Sequence, residues 1–313
     1  MKAGIAADIR CRERGFLDTY CPDHGREGNL NAASWRMAET RMIACIKFVV
    51  LTFVLSWTLW VSAAVAGIGP FLFLPGTIMP AAVALWLTWR EEGQESVGQL
   101  VARLFAWRVS IGWYLFALTF MAIVKLTAAI SHRLMVGDWP GLVVMPLLML
   151  LGTLVSTPVQ AGEEMGWRGF VLPRLAVSMG WGGASLLVGA AWALWHLPMF
   201  YLRGGDMVGQ SFPAFALAVI PVSVALTWVY ARTGGSLLLV MLMHAAVNNT
   251  TGIVPSATID RAAGVFSWRI SFVGAATIIV LWLCAVLFLS TMPKTNTTAE
   301  ALGRRSTTTS QSR

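Results

Sequence analysis

The hydrophobic positions of the chain form long runs that short polar stretches separate. Eight of these runs are long enough to cross a bilayer as helices, because about 18 consecutive apolar residues span its hydrocarbon core. They lie at about residues 43–66, 71–89, 112–130, 143–162, 183–201, 214–231, 236–254 and 270–291. The fourth run can extend past residue 162, and Pro221 interrupts the sixth. The pattern therefore predicts an all-α, polytopic membrane protein with about eight transmembrane helices.

The polar residues outside the runs divide the chain into three parts. Residues 1–42 are basic and show no clear period, so we expect a flexible tail. Residues 43–292 form the predicted membrane domain, and residues 293–313, rich in Thr, Ser and Arg, predict a disordered tail. Within residues 90–110, one helical face would be apolar, which predicts an amphipathic helix on the membrane surface.

Composition and charge support the membrane class and suggest an orientation. Hydrophobic residues make up 57% of the chain and charged residues 12%, which is roughly half the charged fraction of soluble domains. Most Lys and Arg residues lie on the side that would hold both termini, and the opposite side has only Arg133, Arg203, Arg261 and Arg269. Because cytoplasmic loops collect Lys and Arg, we expect a multi-pass cell-membrane protein with both termini cytoplasmic. The net charge of +8 then reflects topology and contact with the lipid bilayer, not nucleic-acid binding.

The four cysteines do not indicate a disulfide framework. Cys45 and Cys284 lie in apolar runs. Cys11 and Cys21, followed by His24, have poor spacing for a zinc knuckle and lack a fourth ligand. We interpret them as reduced cytoplasmic thiols.

Polar side chains inside the apolar runs are the main functional signal, because such groups are costly in a membrane. Within or at the end of three runs, a pair of polar side chains, or an aromatic and a polar one, lies four residues apart. The two members of each pair therefore share one helical face. These pairs are Glu164–Arg168, Trp192–His196 and His244–Asn248. In a bilayer each face must point into the bundle, so the pairs predict one buried polar cavity. Lys125 is also deep in a run, and the sequence gives no role for it.

The chemistry of these groups is suited to hydrolysis. Arg168 keeps its proton and needs a carboxylate, which Glu164 supplies one helical turn away. Glu163 is rotated by about 100° around the helix and stays available as a general base. His196 could share the proton transfer or bind a metal.

The third pair, His244 and Asn248, has both a catalytic and a structural interpretation. His244 and Asn248 could donate hydrogen bonds to a developing oxyanion. Each group also has a structural interpretation: a helix-end salt bridge, a packing histidine, or hydrogen bonds between helices. The zinc-protease motif His-Glu-x-x-His is absent from the sequence, so any metal site would have to be assembled across helices.

Three motifs in this order resemble a known family. Glu-Glu-x-x-x-Arg at 163–168, aromatic-x-x-x-His at 192–196 and His-x-x-x-Asn at 244–248 are similar to the motifs of the CPBP intramembrane proteases. That family includes type II CAAX prenyl endopeptidases and bacterial bacteriocin-processing or immunity proteins. The resemblance covers roughly residues 140–255. The second motif commonly begins with Phe, whereas this chain has Trp192.

The resemblance implies an intramembrane endopeptidase that acts on a membrane-associated substrate, prenylated or bearing a leader peptide. By motif position, Glu163 and His196 would activate water, and His244 and Asn248 would stabilise the oxyanion. Supporting roles would belong to Glu164, Arg168 and Trp192. The cofactor stays open between none and zinc, whose ligands would be Glu163, His196 and His244.

Two alternatives belong to other functional classes. One is a non-catalytic membrane scaffold or immunity factor with the same fold. The other is a transporter, for which broken helices are expected in matching halves of the chain; Pro146, Pro158 and Pro221 do not form such a pair.

The protease interpretation has one geometric requirement. At about 1.5 Å of rise per residue, Glu163 would lie near the cytoplasmic end of the fourth run, and the two histidines would lie deeper. The fourth helix must therefore enter the bundle more deeply or tilt, and Pro146 and Pro158 permit kinks.

Overall fold

The structure is a computed structural model that describes residues 24–67, 73–141, 145–203, 207–250, 253 and 264–293, with side chains from residue 38 onward. The cysteines at 11 and 21, the side chain of His24 and the tail after residue 293 lie outside the described residues. The chain divides into two units, Met1–Arg41 and Met42–Arg313. The site and its surroundings belong to the second unit.

The described residues are almost entirely helical. Helix α1 (His24–Val65) begins within the stretch predicted as a tail. The further α-helices are α2 (Phe73–Glu92), α3 (Gln94–Ala102), α4 (Ile111–Val136), α5 (Pro146–Ser156), α6 (Ala161–Glu164), α7 (Leu172–Trp195), α8 (Phe212–Arg232), α9 (Leu237–Thr250) and α10 (Phe272–Ser290). Short 3-10 helices occupy Arg103–Phe105, Thr157–Gln160 and Leu197–Phe200, and a π-helix occupies Met165–Val171.

The helices confirm the predicted all-α membrane class. Five helical stretches of the described residues are long and apolar enough to cross a membrane: Ala38–Val65, Ile111–Val136, Pro146–Trp195, Phe212–Arg232 and Phe272–Ser290. The remaining two predicted runs coincide with α2, which ends in Arg-Glu-Glu, and α9, which is apolar but only 14 residues long. Helix α8 continues through Pro221.

Most of the fourth and fifth predicted runs lies in one stretch of 50 residues, Pro146–Trp195. Gly180 interrupts the helix within it, with φ 72° and ψ 166°, a conformation that glycine adopts without a Cβ clash. Before that point, the 3-10 turn that contains Pro158 joins α5 to α6, and the helix then continues into the π-helix. The fourth run therefore does extend past residue 162.

Local sequence explains where several helices begin and end. The hydroxyls of Ser110, Ser211 and Ser271 accept hydrogen bonds from backbone N–H groups in the first turns of α4, α8 and α10, which satisfies donors that a helix leaves open. Gly137 ends α4 in the left-handed conformation. In the predicted surface segment 90–110, α3 buries Leu100, while Phe105 remains 70% exposed.

Helix packing centres on the middle of the Pro146–Trp195 stretch. Helix α2 contacts both α6 and the π-helix, α7 packs along α8, and α9 contacts α4, α5 and α6. Buried aromatic rings fill this centre: Phe48 lies 5.3 Å from Trp167 and 5.5 Å from Phe170, and Trp195 lies 6.1 Å from Trp167, between ring centroids. These contacts enclose the segment that carries the first motif.

Candidate active site

The first motif lies in a completely enclosed segment of the described residues. Every residue from Gly162 to Leu172 is buried, and Glu163, Glu164 and Arg168 are 6%, 0% and 0% exposed. The motif begins in α6 and ends in the π-helix, a local widening that is frequent at functional sites. The helix thus enters the bundle deeply enough to meet the geometric requirement stated above.

Glu164 connects two other residues of the site. Its Oε1 accepts a hydrogen bond from Arg168 Nη1 at 3.0 Å, as the four-residue spacing predicts, and lies 2.7 Å from His244 Nδ1 on α9. Because Arg168 stays charged, Glu164 is best ionised, and an ionised carboxylate can only accept. His244 Nδ1 therefore carries a proton and donates it to Glu164. The sequence did not predict this second contact.

Glu163 points to a different neighbour. Its Oε2 accepts a hydrogen bond from the indole Nε1 of Trp192 on α7, at 2.7 Å. The other oxygen, Oε1, makes no hydrogen bond to the described residues. The two adjacent glutamates therefore have different partners, as the rotation between neighbouring helix positions predicts, while their roles stay a prediction.

His196 follows α7 and keeps the predicted spacing to Trp192. Its Nδ1 lies 2.8 Å from the backbone oxygen of Trp192, and since a carbonyl only accepts, this nitrogen is the protonated one. In the neutral ring the lone pair then lies on Nε2, the nitrogen that a general base uses. The ring also contacts Trp195 and Phe215, with centroids 4.8 and 5.3 Å away.

Trp192 is in contact with most of the site. Its ring centroid lies 4.4 Å from Arg168 Cζ, 5.1 Å from the His244 ring and 5.6 Å from the His196 ring. The structure therefore brings together six of the seven predicted site residues: Glu163, Glu164, Arg168, Trp192, His196 and His244.

The seventh residue, Asn248, is placed differently. It lies one turn after His244 on α9 and is exposed, and its part in the site stays a prediction. The next residue, Asn249, donates to Ser156 Oγ at 3.0 Å and to the backbone oxygen of Ala245 at 2.8 Å. The bond to Ser156 attaches α9 to α5. The sequence predicted no role for Asn249, although two adjacent asparagines in an apolar run are a signal of such a contact.

Lys125 is 3% exposed within α4, so it does not reach the surface as a long cationic side chain normally would. Lys47, near the start of the first apolar run, instead pairs with Glu91 at 3.0 Å and is 53% exposed.

The predicted zinc ligands do not form a ready metal cluster. Within the part of the chain that the structure describes, no three His, Cys, Asp or Glu side chains come together as a metal site. The hydrogen bonds at Nδ1 of His196 and His244 and at Oε2 of Glu163 do not by themselves oppose metal binding, because a metal-ligating histidine commonly donates its other N–H to a carbonyl or a carboxylate. Since Glu163, His196 and His244 are not gathered as a metal cluster among the described residues, no step below is assigned to a metal.

Comparison with known proteins places these residues in a family context. The model of the "Type II CAAX prenyl endopeptidase Rce1-like" family matches residues 142–250, a range that contains all three motifs. The chain is 23% identical over 256 residues to a protein of Methanococcus maripaludis named "CAAX prenyl protease 2", and this match covers 73% of the chain and 90% of that protein. Both matches confirm the resemblance inferred from the motifs, and they support an intramembrane endopeptidase similar to the CPBP proteases.

Proposed function

We propose that the protein hydrolyses a peptide bond of a membrane-associated substrate, with a prenylated peptide ending in a CAAX sequence as the first candidate. The relative named as a CAAX prenyl protease supports this substrate class. One observation carries the proposal: Glu163 is buried, Trp192 holds one of its oxygens, and its other oxygen has no hydrogen bond to the described residues. A carboxylate held in this way is suited to act as a general base.

In the proposed reaction, Glu163 Oε1 accepts a proton from a water molecule, and His196 Nε2 orients the same water. The water oxygen bonds to the substrate carbonyl carbon, and the carbonyl electron pair moves onto its oxygen. When this intermediate collapses, the carbon–nitrogen bond breaks and the proton passes from Glu163 to the leaving amine. The products are a carboxylic acid and an amine, so atoms and charge balance.

His244 is the proposed donor to the oxyanion, and its neighbours define the form it must take. Nδ1 already donates to Glu164, so a second donor on Nε2 requires the imidazolium form. Two ionised glutamates and one arginine leave the cluster with one net negative charge, which a protonated His244 would neutralise. Asn248 is proposed as a second donor, which requires its exposed side chain to face the bound substrate.

The location of the site suggests how the substrate reaches it. The protein is a membrane protein whose described residues include five helical stretches able to cross the bilayer. The first motif and Trp192 lie in one of them, and His244 lies on the shorter apolar helix α9. We propose that the substrate's lipid group stays in the bilayer while its peptide enters the polar cavity. The Lys and Arg distribution further supports cytoplasmic termini and a cavity that opens toward the cytoplasm.

The decisive experiment compares Glu163→Gln with wild type in proteoliposomes, using a farnesylated CAAX peptide and its unprenylated counterpart. We expect Glu163→Gln to lose about 10²–10⁴-fold in cleavage rate, the usual contribution of a general base, with unchanged membrane insertion. Glu95→Gln, at an exposed position in α3, is the matched control and should keep wild-type activity.

Each other outcome has a defined meaning. Full activity in Glu163→Gln would remove this residue from the mechanism. Absence of cleavage by wild type on either peptide would favour the non-catalytic scaffold of the same fold. Loss of activity with a zinc chelator, restored by added zinc, would add a metal to the mechanism proposed for these side chains.

A further inference from the structure

Trp192 makes contacts that an aromatic residue of the usual motif cannot fully provide. Its indole N–H donates to Glu163 Oε2, its ring lies under the Arg168 guanidinium, and its backbone oxygen accepts from His196. It is 3% exposed, so water does not compete freely for these contacts.

The N–H bond determines which oxygen of Glu163 is available. An indole nitrogen can only donate, so it fixes Oε2 of the carboxylate and directs Oε1 away. Hydrogen bonds to an ionised group are short and stronger than neutral ones, and the 2.7 Å distance between Trp192 Nε1 and Glu163 Oε2 is of this kind. Without the bond, the Glu163 carboxylate could rotate into other orientations, and its second oxygen would no longer be held in one direction.

The ring of Trp192 has a second, separable task. Arg168 Nη1 is bonded to Glu164, whereas its Nε and Nη2 are buried without a hydrogen-bond partner among the described residues. The aromatic face 4.4 Å from Cζ compensates part of that positive charge through a cation–π contact. A phenylalanine, the residue common at this position in the family, would keep a ring face but has no N–H.

We propose that Trp192 is a positioning residue that holds Glu163 through its indole N–H, an addition that this chain makes to the common motif. The inference rests on the proposed function, since its catalytic consequence requires Glu163 to be the base. The N–H bond and the ring face act on different partners, so they can be removed one at a time.

The test is Trp192→Phe, which keeps an aromatic ring and removes the donor. We expect kcat for the prenylated peptide to fall about tenfold, the effect of losing one charge-assisted hydrogen bond, with KM within about twofold because substrate contacts are unchanged. Trp181→Phe is the matched control: Trp181 lies on the same helix, is 2% exposed, and its N–H has no acceptor among the described residues. This control should keep the wild-type kcat.

A second variant removes the donor without changing the ring size. Replacement of Trp192 by 3-benzothienylalanine, in which sulfur takes the place of the N–H, should give the same loss of kcat and keeps the test valid if Trp192→Phe folds poorly. If kcat in these variants matches that of Trp181→Phe, the positioning role is wrong although the proposed function stands. If wild type does not cleave the peptide at all, the proposed function itself fails.

Discussion

The beginning and the middle of the Pro146–Trp195 stretch show opposite relations between polarity and burial. In α5, Leu147 and Leu148 are 69% and 64% exposed, and nearby Val155 is 79% exposed. About ten residues further along, Glu164 and Arg168 are completely buried. In water this distribution would be unstable, whereas in a bilayer the apolar surface meets lipid and the charged groups meet one another.

The comparison shows what burial means for this protein. Lipid tails are as apolar as leucine, so exposure of α5 to lipid costs little and its burial would gain little. The buried segment around Glu164 and Arg168, in contrast, depends on specific partners, because an unpaired charge in this environment is strongly unfavourable. The two bonds that Glu164 Oε1 makes, to Arg168 and to His244, follow from this requirement.

The largest effect on stability is expected from breaking the buried ion pair. Arg168→Met leaves Glu164 without its cation, so we expect a loss of about 3–5 kcal/mol in the free energy of unfolding. The measurement is unfolding in mixed detergent–SDS micelles, followed by circular dichroism.

The control for this prediction removes both charges. In Glu164→Gln/Arg168→Met the net charge of the cluster returns to its wild-type value, and the amide oxygen can still accept from His244. We expect this double variant to be clearly more stable than Arg168→Met alone. Equal instability of the two variants would show that the pair acts through its shape and not through its charge.

A substitution with a smaller expected effect tests how tightly the buried segment around Glu164 and Arg168 is packed. A Cβ on Gly166 would lie 2.7 Å from the backbone oxygen of Pro80 and 2.8 Å from the ring of Phe48. We therefore expect Gly166→Ala to cost about 3 kcal/mol, the upper end for overpacking, because a backbone atom and a packed ring cannot easily move. The same unfolding assay measures it.

Gly98→Ala in α3 is the control for Gly166→Ala. A Cβ there meets nothing within 4 Å, so Gly98→Ala should be neutral or slightly stabilising, as alanine is the better helix former. A similar small change at Gly166 would indicate that the buried segment has room to adjust, contrary to the packing described above.

The sequence predicted those features that depend on neighbours along the chain. The apolar runs predicted the helices, and the four-residue spacing predicted the pairing of Glu164 with Arg168. The contact between Glu164 and His244 joins residues 80 positions apart, so it depends on how α9 packs against α6 and no local pattern contains it.

Two other features were beyond the sequence for related reasons. The role of Asn249 depends on the position of Ser156 on another helix, which hydropathy does not report. The bond from Trp192 to Glu163 depends on the orientation of one indole ring, whereas the motif requires only an aromatic residue.

The smallest expected effect concerns the apolar residues themselves and tests the comparison most directly. Leu148 and Leu172 belong to the same helical stretch, but Leu148 is 64% exposed and Leu172 is fully buried. Leu172→Ala should cost about 2 kcal/mol, the lower end of the range for buried leucines, because the cavity removes packing contacts while lipid supplies no gain from water exclusion. Leu148→Ala should change the free energy of unfolding by less than about 0.5 kcal/mol, since lipid tails replace the lost contacts. Equal losses of unfolding free energy at the two positions would mean that α5 packs against protein and not against lipid. The contrast between α5 and the buried segment around Glu164 and Arg168 would then not hold.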